Sequence, residues 1–422
     1  MTTCMGITYS LTLIRMTESK RKTLHIGEII RVEIEKVAHG GHFIARHEGA
    51  VIFVRHAIPG EVVEIEITGL DKSFARADVV AVIEPAAARR QPPCHLAGSC
   101  GGCDFQHIDP LRQRELKSDV IAEQFARIAK MEVEVEVEEV SDALHWRTRF
   151  AASTDSQGAA GFKAQRSNEI IAVHTCPVLI PEIDFATLPI AQIGSNKRIE
   201  VAISNTGERT VAAMDTRSDR TAQRATPKII EGASTLTYSV NDFNYQVSQQ
   251  SFWQSNINAP QVLSSAVAEF AGFKAGDHVL DLYGGVGLFA GGAINHLGPG
   301  GRIDIVEGSE SATADALVNF ANFPNVHIHT GDVAKEIRKF KRADVIVLDP
   351  PRTGAGKPVI ENLAKLGARA IVYVACDPAA LARDTTYLAD AGYRLADIRA
   401  FDLFPMTHHI ESVALYTPRE VS

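Results

Sequence analysis

The chain of 422 residues is long enough for roughly two to four domains of ordinary size. Its net charge of −8 argues against a general nucleic-acid scaffold, although a local basic groove is compatible with an acidic total. The apolar fraction of 45% is that of a protein with buried cores, and no apolar run approaches a membrane span, so we expect no membrane association.

Residues 1–15 contain a short apolar stretch that lacks the basic region and the cleavage site of a signal peptide. A second methionine, Met16, precedes a polar segment, so we expect residues 1–15 to be either the product of an upstream start codon or disordered. Without a secretion signal, the six cysteines are expected in a reducing cytosol, which predicts a cytoplasmic protein.

Residues 22–84 consist of short alternating runs separated by Gly-Gly, Glu-Gly and Pro-Gly turns. This spacing predicts a five-stranded barrel of the oligonucleotide-binding kind, used either for RNA or for structure alone. A linker is predicted over 84–93 and a helix over about 110–130. The strictly alternating segment 131–140 predicts a strand with one acidic face, inside a β-rich central section 85–250.

From about residue 255, strands and helices alternate, which predicts an α/β domain over 251–422 with a parallel sheet and a terminal hairpin. Ligands of such sheets bind beyond the carboxyl ends of the strands. Five chemically useful residues fall at those predicted ends. They are Asp281, Glu307, Asp332, Asp349 and Cys376.

The loop after Asp281 contains Gly285-x-Gly287-x-x-Ala290, a pattern that by itself fits either a nicotinamide dinucleotide or S-adenosylmethionine. Asp281 favours S-adenosylmethionine, because a carboxylate attracts the ammonium group of the methionine part and repels a pyrophosphate. Glu307 is placed for the ribose hydroxyls and Asp332 for the adenine edge, although either residue could instead be a solvated helix cap.

Three cysteines lie close together in "CHLAGSCGGCDFQH", namely Cys94, Cys100 and Cys103. Such spacing is typical of a metal centre, and Cys176 is the obvious remote fourth ligand. Zinc and a [4Fe–4S] cluster both accept four thiolates, and His95 or His107 would favour zinc.

Cys376 ends a predicted strand and is a candidate nucleophile. A thiolate that adds to C6 of uracil makes C5 a carbanion able to attack a sulfonium methyl group, after which a base must remove the C5 proton. Glu411, in the terminal hairpin, is the candidate base. The structural alternatives are an apolar filler for Cys376 and a surface charge for Glu411. Arg352 and Arg383 could bind phosphate or form surface ion pairs.

Six segments, from "CGGCDFQH" through "SFWQSN", "LDLYGGVGLF", "LDPPRTG" and "ACDPAALARD" to "HHIESVAL", resemble the bacterial RNA uracil-C5 methyltransferases. The resemblance covers the chain from about residue 22. It is strongest to the branch that has a TRAM domain and an iron–sulfur cluster and that acts on 23S ribosomal RNA.

The resemblance implies a multidomain protein: an OB-like TRAM barrel, a β-rich central domain with an iron–sulfur loop, and a Rossmann-like class I methyltransferase domain. It implies a [4Fe–4S] cluster on the four cysteines, Cys376 as nucleophile and Glu411 as general base. It also implies an S-adenosylmethionine site lined by Gln254, Tyr283, Glu307, Asp349 and, near the adenine, Asp332.

The implied partner is RNA, with no obligate protein partner and a monomeric state. Phosphates would meet Arg147, Arg149, Lys163 and Arg166, and bases would stack on Trp146 and Phe162.

One position departs from this family, in which an asparagine usually follows the nucleophile, whereas this chain has Asp377. An unpaired carboxylate there would raise the pKa of the neighbouring thiol. The alternatives to a 23S ribosomal RNA enzyme are a transfer-RNA T-loop methyltransferase, a non-catalytic RNA-binding iron–sulfur protein, and a nicotinamide-dependent redox enzyme.

Overall fold

The structure, a computed structural model, describes residues 24–165, 167–215 and 227–419. The predictions for residues 1–15 and Arg166 lie outside these ranges. Within them, no helix is both long enough and apolar enough to cross a membrane.

The N-terminal section is a closed barrel with the strand order β1-β2-β3-β5-β4. Its strands are β1 (Ile29–Ala38), β2 (His42–His47), β3 (Ala50–Arg55), β4 (Val62–Leu70) and β5 (Phe74–Glu84). Burial alternates along β1 and β4, as a two-residue side-chain period requires when one face packs inward. The five-stranded barrel prediction is confirmed.

A helix and a six-stranded sheet follow the barrel. The helix begins where Pro110 takes the first position and the side chain of Asp109 accepts a hydrogen bond from the Leu111 amide. The sheet order is β12-β11-β10-β7-β8-β9. The elements are α1 (Pro110–Gln124) with a π-helical turn (Phe125–Ala129), β6 (Val137–Glu139), β7 (Arg149–Thr154), β8 (Ala160–Lys163), β9 (Ile170–Ala172), α2 (Ile190–Ile193), β10 (Lys197–Ile203), β11 (Arg209–Asp215) and β12 (Lys228–Gly232), with short 3₁₀ turns at Pro181–Ile183 and Phe185–Thr187.

The predicted strand over 131–140 is wrong in length, because only Val137–Glu139 pairs, in parallel with residues of a C-terminal strand. Val133 and Val135 are instead partly buried against the core without strand pairing. Alternation reports which side chains face inward, and an unpaired segment lying on a core shows the same pattern as a strand.

The C-terminal section begins with a hairpin and continues as alternating strands and helices. Its elements are β13 (Thr235–Val240), β14 (Phe243–Ser248), α3 (Ala259–Ala271), β15 (His278–Leu282), α4 (Leu288–Leu297), β16 (Arg302–Glu307), α5 (Glu310–Asn319), β17 (Val326–Thr330), α6 (Val333–Glu336) with a 3₁₀ turn (Ile337–Lys339), β18 (Val345–Leu348), α7 (Lys357–Ala364), β19 (Ala370–Ala375), α8 (Pro378–Asp390), β20 (Tyr393–Asp402) and β21 (Glu411–Pro418).

Strands β15 to β21, together with β6, form an eight-stranded sheet in the order β17-β16-β15-β18-β19-β21-β20-β6, and β13 and β14 form a separate two-stranded sheet. Every residue of β18 and β19 is buried, because helices cover both faces of the sheet. The first five strands in this order, β17, β16, β15, β18 and β19, are parallel, and β21 runs antiparallel between β19 and β20. The carboxyl ends of β16, β15, β18 and β19 therefore lie side by side at the edge where β21 begins.

Candidate active site

Four of the predicted functional residues meet at this edge of the sheet. Glu307 is the last residue of β16, Asp349 follows β18, Cys376 follows β19, and Glu411 is the first residue of β21. The pairing of Ala375 with Ser412 brings the end of β19 and the start of β21 together. The topology thus places a thiol between carboxylates that are distant in sequence.

Cys376 sits in an environment that disfavours its thiolate. Burial raises the pKa of the thiol to about 12, with further contributions from the nearby charges of Glu411 and Asp349. The guanidinium of Arg352 acts in the opposite direction. The free thiol is therefore protonated at neutral pH, and a cation or a base must assist its ionisation.

Glu411 and Asp349 form a pair of carboxyl groups that resist simultaneous ionisation. Glu411 is buried, and burial together with the charge of Asp349 raises its pKa well above the ordinary value. Burial and Glu307 raise the pKa of Asp349 to about 7. A carboxylate in such a site is a stronger base than one in water, which suits proton abstraction from carbon.

A cavity of about 210 Å³ opens beside Cys376. Arg352 lines it on the methyltransferase side, and the exposed guanidinium lies 3.5 Å from the ring of His409. Burial and the neighbouring cations lower the pKa of His409 to about 3, so this ring is neutral. The turn at residues 38–41 of the barrel and helix α1 close the opposite side.

The glycine-rich loop after β15 forms a cradle for a ligand. A Cβ atom on Gly284 would lie 2.8 Å from Ile305 and 2.9 Å from Asp281, so only glycine fits there. The Gly285 amide donates to one oxygen of Glu307 at 3.0 Å. Tyr283, half-buried beside the loop, adopts a positive φ of 58°, an uncommon conformation for a side chain of this size.

Asp281 is the part of this cradle that fits S-adenosylmethionine best. It is buried, and one carboxylate oxygen accepts a hydrogen bond from the Ala290 amide at 3.0 Å. The other oxygen is buried and has no hydrogen-bond partner among the described residues. Burial, together with Asp349 and Glu307, raises the pKa of Asp281 to about 7. A cationic ammonium group would satisfy the free oxygen and favour the ionised form.

Two predicted cofactor residues lie outside this cluster. Gln254 is buried and lines a separate cavity with Tyr238 and Trp253. Asp332 is exposed and caps α6, since its side chain accepts a hydrogen bond from the Lys335 amide. The roles of Gln254 and Asp332 stay predictions.

The four predicted cluster cysteines converge on one region. They are free thiols that influence one another electrostatically; the neighbouring thiols act with burial to raise the pKa of Cys103 to about 12 and that of Cys176 to about 11. The amide of Gly102 donates to the sulfur of Cys100, and two amides donate to that of Cys176. Hydrogen bonds from amides to sulfur are typical of iron–sulfur loops, and four thiolates are a ligand set that such a cluster accepts.

Across the described ranges, no three His, Cys, Asp or Glu side chains approach closely enough to bind a metal ion. The histidine alternative is weakened, because the Nε2 of buried His107 lies 3.0 Å from the Ala57 carbonyl in the barrel. The cysteine loop itself packs tightly, with Gly101 donating to the carbonyl of Lys163 at 3.2 Å.

The prediction that Trp146 stacks on RNA is wrong, because this ring is only 1% exposed and packs in the core with Val178 and Met406. Phe162 is half-buried, and its ring contacts those of Phe150 and Phe185. Aromatic residues between basic residues are common to RNA-binding surfaces and to cores.

The basic residues of the same segment differ in their exposure to solvent. The Arg147 guanidinium is largely buried and donates to the Arg149 carbonyl, whereas Lys163 is exposed. Arg383 forms an ion pair with Asp384, which is the second of the two roles considered for it in the sequence.

His39 was not among the predicted site residues, yet its ring lies 3.0 Å from the Asp377 carboxylate. The two residues are 338 positions apart, so no local pattern indicates the contact. The His-Gly-Gly pattern predicts a turn at residues 39–41, but it carries no information about a contact with Asp377.

Two family matches cover the ends of the chain. Residues 23–80 match the TRAM domain, and residues 230–419 match the family described as tRNA (Uracil-5-)-methyltransferase. The second match includes the β13–β14 hairpin, whose Tyr245 hydroxyl donates to the Leu288 carbonyl in α4.

An uncharacterized RNA methyltransferase of Streptomyces avermitilis is 39% identical over 93% of this chain and 99% of its own length. The 23S rRNA (uracil(1939)-C(5))-methyltransferase RlmD of Shewanella amazonensis is 29% identical over 93% of this chain and 96% of its own length.

Among solved structures, the tRNA (uracil-54, C5)-methyltransferase of Pyrococcus abyssi, in complex with S-adenosyl-L-homocysteine, has a TM-score of 0.70 at 21% identity. It covers 92% of this chain and 100% of its own chain, which shows a shared fold. These findings support the methyl donor over nicotinamide. The chain belongs to the RNA methyltransferases that join a TRAM domain to a uracil-5-methyltransferase domain.

Proposed function

We propose that the protein converts a uridine of 23S ribosomal RNA to 5-methyluridine, with Cys376 as nucleophile and Glu411 as general base. The observation that carries the proposal is that Cys376, directly after β19, and Glu411, at the start of the neighbouring β21, meet at the edge of the sheet where the glycine-rich loop also lies. The target base must leave its stack to reach a thiol at this depth.

S-adenosylmethionine, when bound, supplies the methyl group as a sulfonium. Asp281 and Glu307 would hold its ammonium and ribose groups, with Tyr283 and Asp349 lining the site. Gln254 lines a separate cavity and Asp332 caps α6, so contacts of these two residues with the donor stay predictions.

The reaction follows from the positions of Cys376 and Glu411. The Cys376 thiol first loses its proton to water. The thiolate sulfur then bonds to C6 of uracil, and the electron pair of the C5–C6 double bond moves to C5 and O4. C5 then takes the methyl group while the bond from that group to the donor sulfur breaks. Glu411 removes the C5 proton, and the returning electron pair expels the Cys376 sulfur and restores the C5–C6 double bond.

The carboxyl pair controls the state of the base. Because Asp349 and burial favour protonated Glu411, a nearby positive charge is needed to ionise both groups. The cationic methyl donor has the right sign for this task, so donor binding prepares Glu411 for proton abstraction.

The ribosomal substrate is supported by similarity along nearly the whole length of the Shewanella 23S rRNA enzyme. Exposed Lys163 and half-buried Arg149 are the basic side chains that we assign to RNA phosphates. We propose that the enzyme acts in the cytoplasm as a monomer.

The test of the mechanism uses RNA in which 5-fluorouracil replaces uracil. Fluorine cannot leave C5 as a proton, so a covalent protein–RNA adduct should accumulate in the presence of the methyl donor. Cys376→Ala should form no adduct, and Glu411→Gln should stall as an adduct with ordinary uridine. An adduct that persists in Cys376→Ala would contradict the assignment.

The substrate is tested by mass spectrometry of ribosomal and transfer RNA from cells that lack the gene. Loss of one 5-methyluridine from 23S rRNA is expected. Loss from transfer RNA instead would overturn the ribosomal assignment while leaving the chemistry intact.

We further propose that Cys94, Cys100, Cys103 and Cys176 hold a [4Fe–4S] cluster, on the strength of their convergence and their amide donors. Anaerobically purified protein should be brown and contain iron and sulfide. Cys103→Ser should lose the colour, whereas Cys376→Ala, as the matched control, should keep it. A colourless protein with one equivalent of zinc would contradict the cluster.

A further inference from the structure

The cavity beside Cys376 is formed by more than the methyltransferase domain. Residues 37–41, at the end of β1 and in the turn to β2, line it together with Cys376 and Asp377. A turn of the TRAM barrel therefore forms part of the wall next to the nucleophile.

His39 of this turn contacts the residue that follows the nucleophile. Its Nε2 lies 3.0 Å from one oxygen of Asp377, and the other oxygen accepts from the Ala380 amide at 2.8 Å as the N-cap of α8. These bonds and the charge of His39 outweigh burial and lower the pKa of Asp377. Asp377 is thus ionised, and the imidazole is the hydrogen-bond donor.

Most charged groups around the cavity are already committed to other partners. Lys117 lies 2.6 Å from Asp402, and His408 is paired with Asp104. His409 is neutral at ordinary pH, since its pKa is lowered to about 3.

The charges that act on the thiol are then few. Asp349 and Glu411 oppose ionisation of Cys376, and Arg352 favours it. Asp377, next in the chain, would be a further opposing carboxylate if it stood alone.

We propose that His39 is a positioning residue for the nucleophile: by donating a hydrogen bond to Asp377 it partly offsets the charge of that carboxylate and fixes the first turn of α8, so that Cys376 can ionise. The TRAM barrel then completes the catalytic cavity in addition to any contact with RNA. The pair also explains how this chain tolerates a carboxylate directly after its nucleophile. The importance of the His39–Asp377 contact for catalysis rests on the proposed function.

The test measures the alkylation rate of Cys376 by iodoacetamide as a function of pH, with the modified peptide quantified by mass spectrometry. His39→Ala should slow alkylation at neutral pH by roughly three- to tenfold and shift the profile to higher pH, because Asp377 is left uncompensated. Asp377→Asn keeps a capping side chain, so it should react at least as fast as the native protein.

The double variant His39→Ala/Asp377→Asn distinguishes two explanations of slower alkylation: the uncompensated charge of Asp377 and a structural change caused by the loss of His39. If His39 acts by offsetting the charge of Asp377, the double variant regains the native rate. A double variant as slow as His39→Ala would overturn the proposal, as would a His39→Ala protein with a native profile.

Lys36→Gln is the matched control. It breaks another ion pair made by the barrel, in which Lys36 lies 2.6 Å from Glu123 of α1, and neither of these two residues lines the cavity. It should leave the profile unchanged, and an equal slowing would assign the effect to barrel docking instead. Alkylation requires neither RNA nor methyl donor. A protein without methyltransferase activity would therefore refute the proposed function without affecting this result.

Discussion

Asp281 is buried beneath the glycine-rich loop, and the fold satisfies only one of its carboxylate oxygens. Its raised pKa means that the folded state binds a proton that the unfolded state releases between about pH 4 and 7. The protonated carboxyl group of Asp281 therefore contributes its full stabilisation of the fold below the pKa of the unfolded state. This contribution to the free energy of unfolding is lost as the pH rises through about 7.

Asp281→Asn should stabilise the ligand-free protein at pH values above about 7, by about 4 kcal/mol, and should have little effect below about pH 4. The same variant should bind S-adenosylmethionine poorly. The free energy of unfolding at several pH values checks the first effect, and calorimetric titration checks the second.

Asp304→Asn is the control with the opposite sign. Asp304 is also buried, but hydrogen bonds from Arg302, His278 and His329 lower its pKa despite that burial. Its contribution is present above the unfolded pKa and lost as the pH falls, so Asp304→Asn should destabilise the protein at neutral pH. If both variants shift stability in the same direction, the assignment of Asp281 is wrong.

The Asp349–Glu411 pair predicts a pH-dependent reaction. Because burial and the charge of Asp349 raise the pKa of Glu411, the single-turnover rate of 5-methyluridine formation should fall with decreasing pH, at a pH above the ordinary range of a carboxyl group. Asp349→Asn removes the charge that raises the pKa of Glu411, so the pH at which the rate falls should be lower in this variant. If that pH does not change, another group controls the rate.

At the scale of elements, the turn between β1 and β2 is shaped to meet the cysteine loop and the C-terminal loop together. Gly41 has a positive φ of 77°, and a Cβ there would overlap a carboxylate oxygen of Asp104 and lie 2.8 Å from the ring of His408. The barrel thus contacts the residue directly after Cys103 and a residue that lines the cavity beside Cys376 at one point.

Gly41→Ala should cost about 1 kcal/mol for the positive φ and roughly 1 to 3 kcal/mol more for the overlap. Gly49→Ala is the matched control, since Gly49 has a φ of 83° but a Cβ added there would meet nothing within 4 Å. Urea unfolding of both variants gives the difference. Equal losses would mean that the turn does not pack as described.

At the scale of the whole molecule, three sections of the chain meet around Cys376. The barrel supplies a turn, α1 supplies a wall with Lys117, and the sheet supplies the thiol and the carboxylates. Lys117 in α1 and Asp402 in β20 form an ion pair at 2.6 Å in which both side chains are buried. This pair holds α1 against the sheet.

Lys117→Met should lower the free energy of unfolding by about 3 to 5 kcal/mol, because Asp402 would be left buried and unpaired. The double variant Lys117→Met/Asp402→Leu should recover much of the loss, since apolar packing replaces the pair. Chemical denaturation measures both. No recovery in the double variant would mean that the pair has a structural role beyond its charge balance.

The strand ends show how far local reasoning reaches. Glu307, Asp349 and Cys376 could be placed at one edge because each follows an apolar run, and parallel strands end together. The same reasoning failed for Trp146, because a sequence pattern does not report which neighbours cover a ring. It also overextended the strand at 131–140, since burial alternation does not require a pairing partner.

By itself, the sequence determined the barrel, the order of the strands and helices in the C-terminal domain, and the residues available for chemistry, because side-chain periodicity and turn residues act locally. Only the tertiary structure decided which distant residues meet. The pKa values of Asp281, Asp349 and Glu411 depend on burial and on charges from other strands. The pairing of His39 with Asp377 depends on how the barrel docks, and docking is set by packing between surfaces that no segment contains alone.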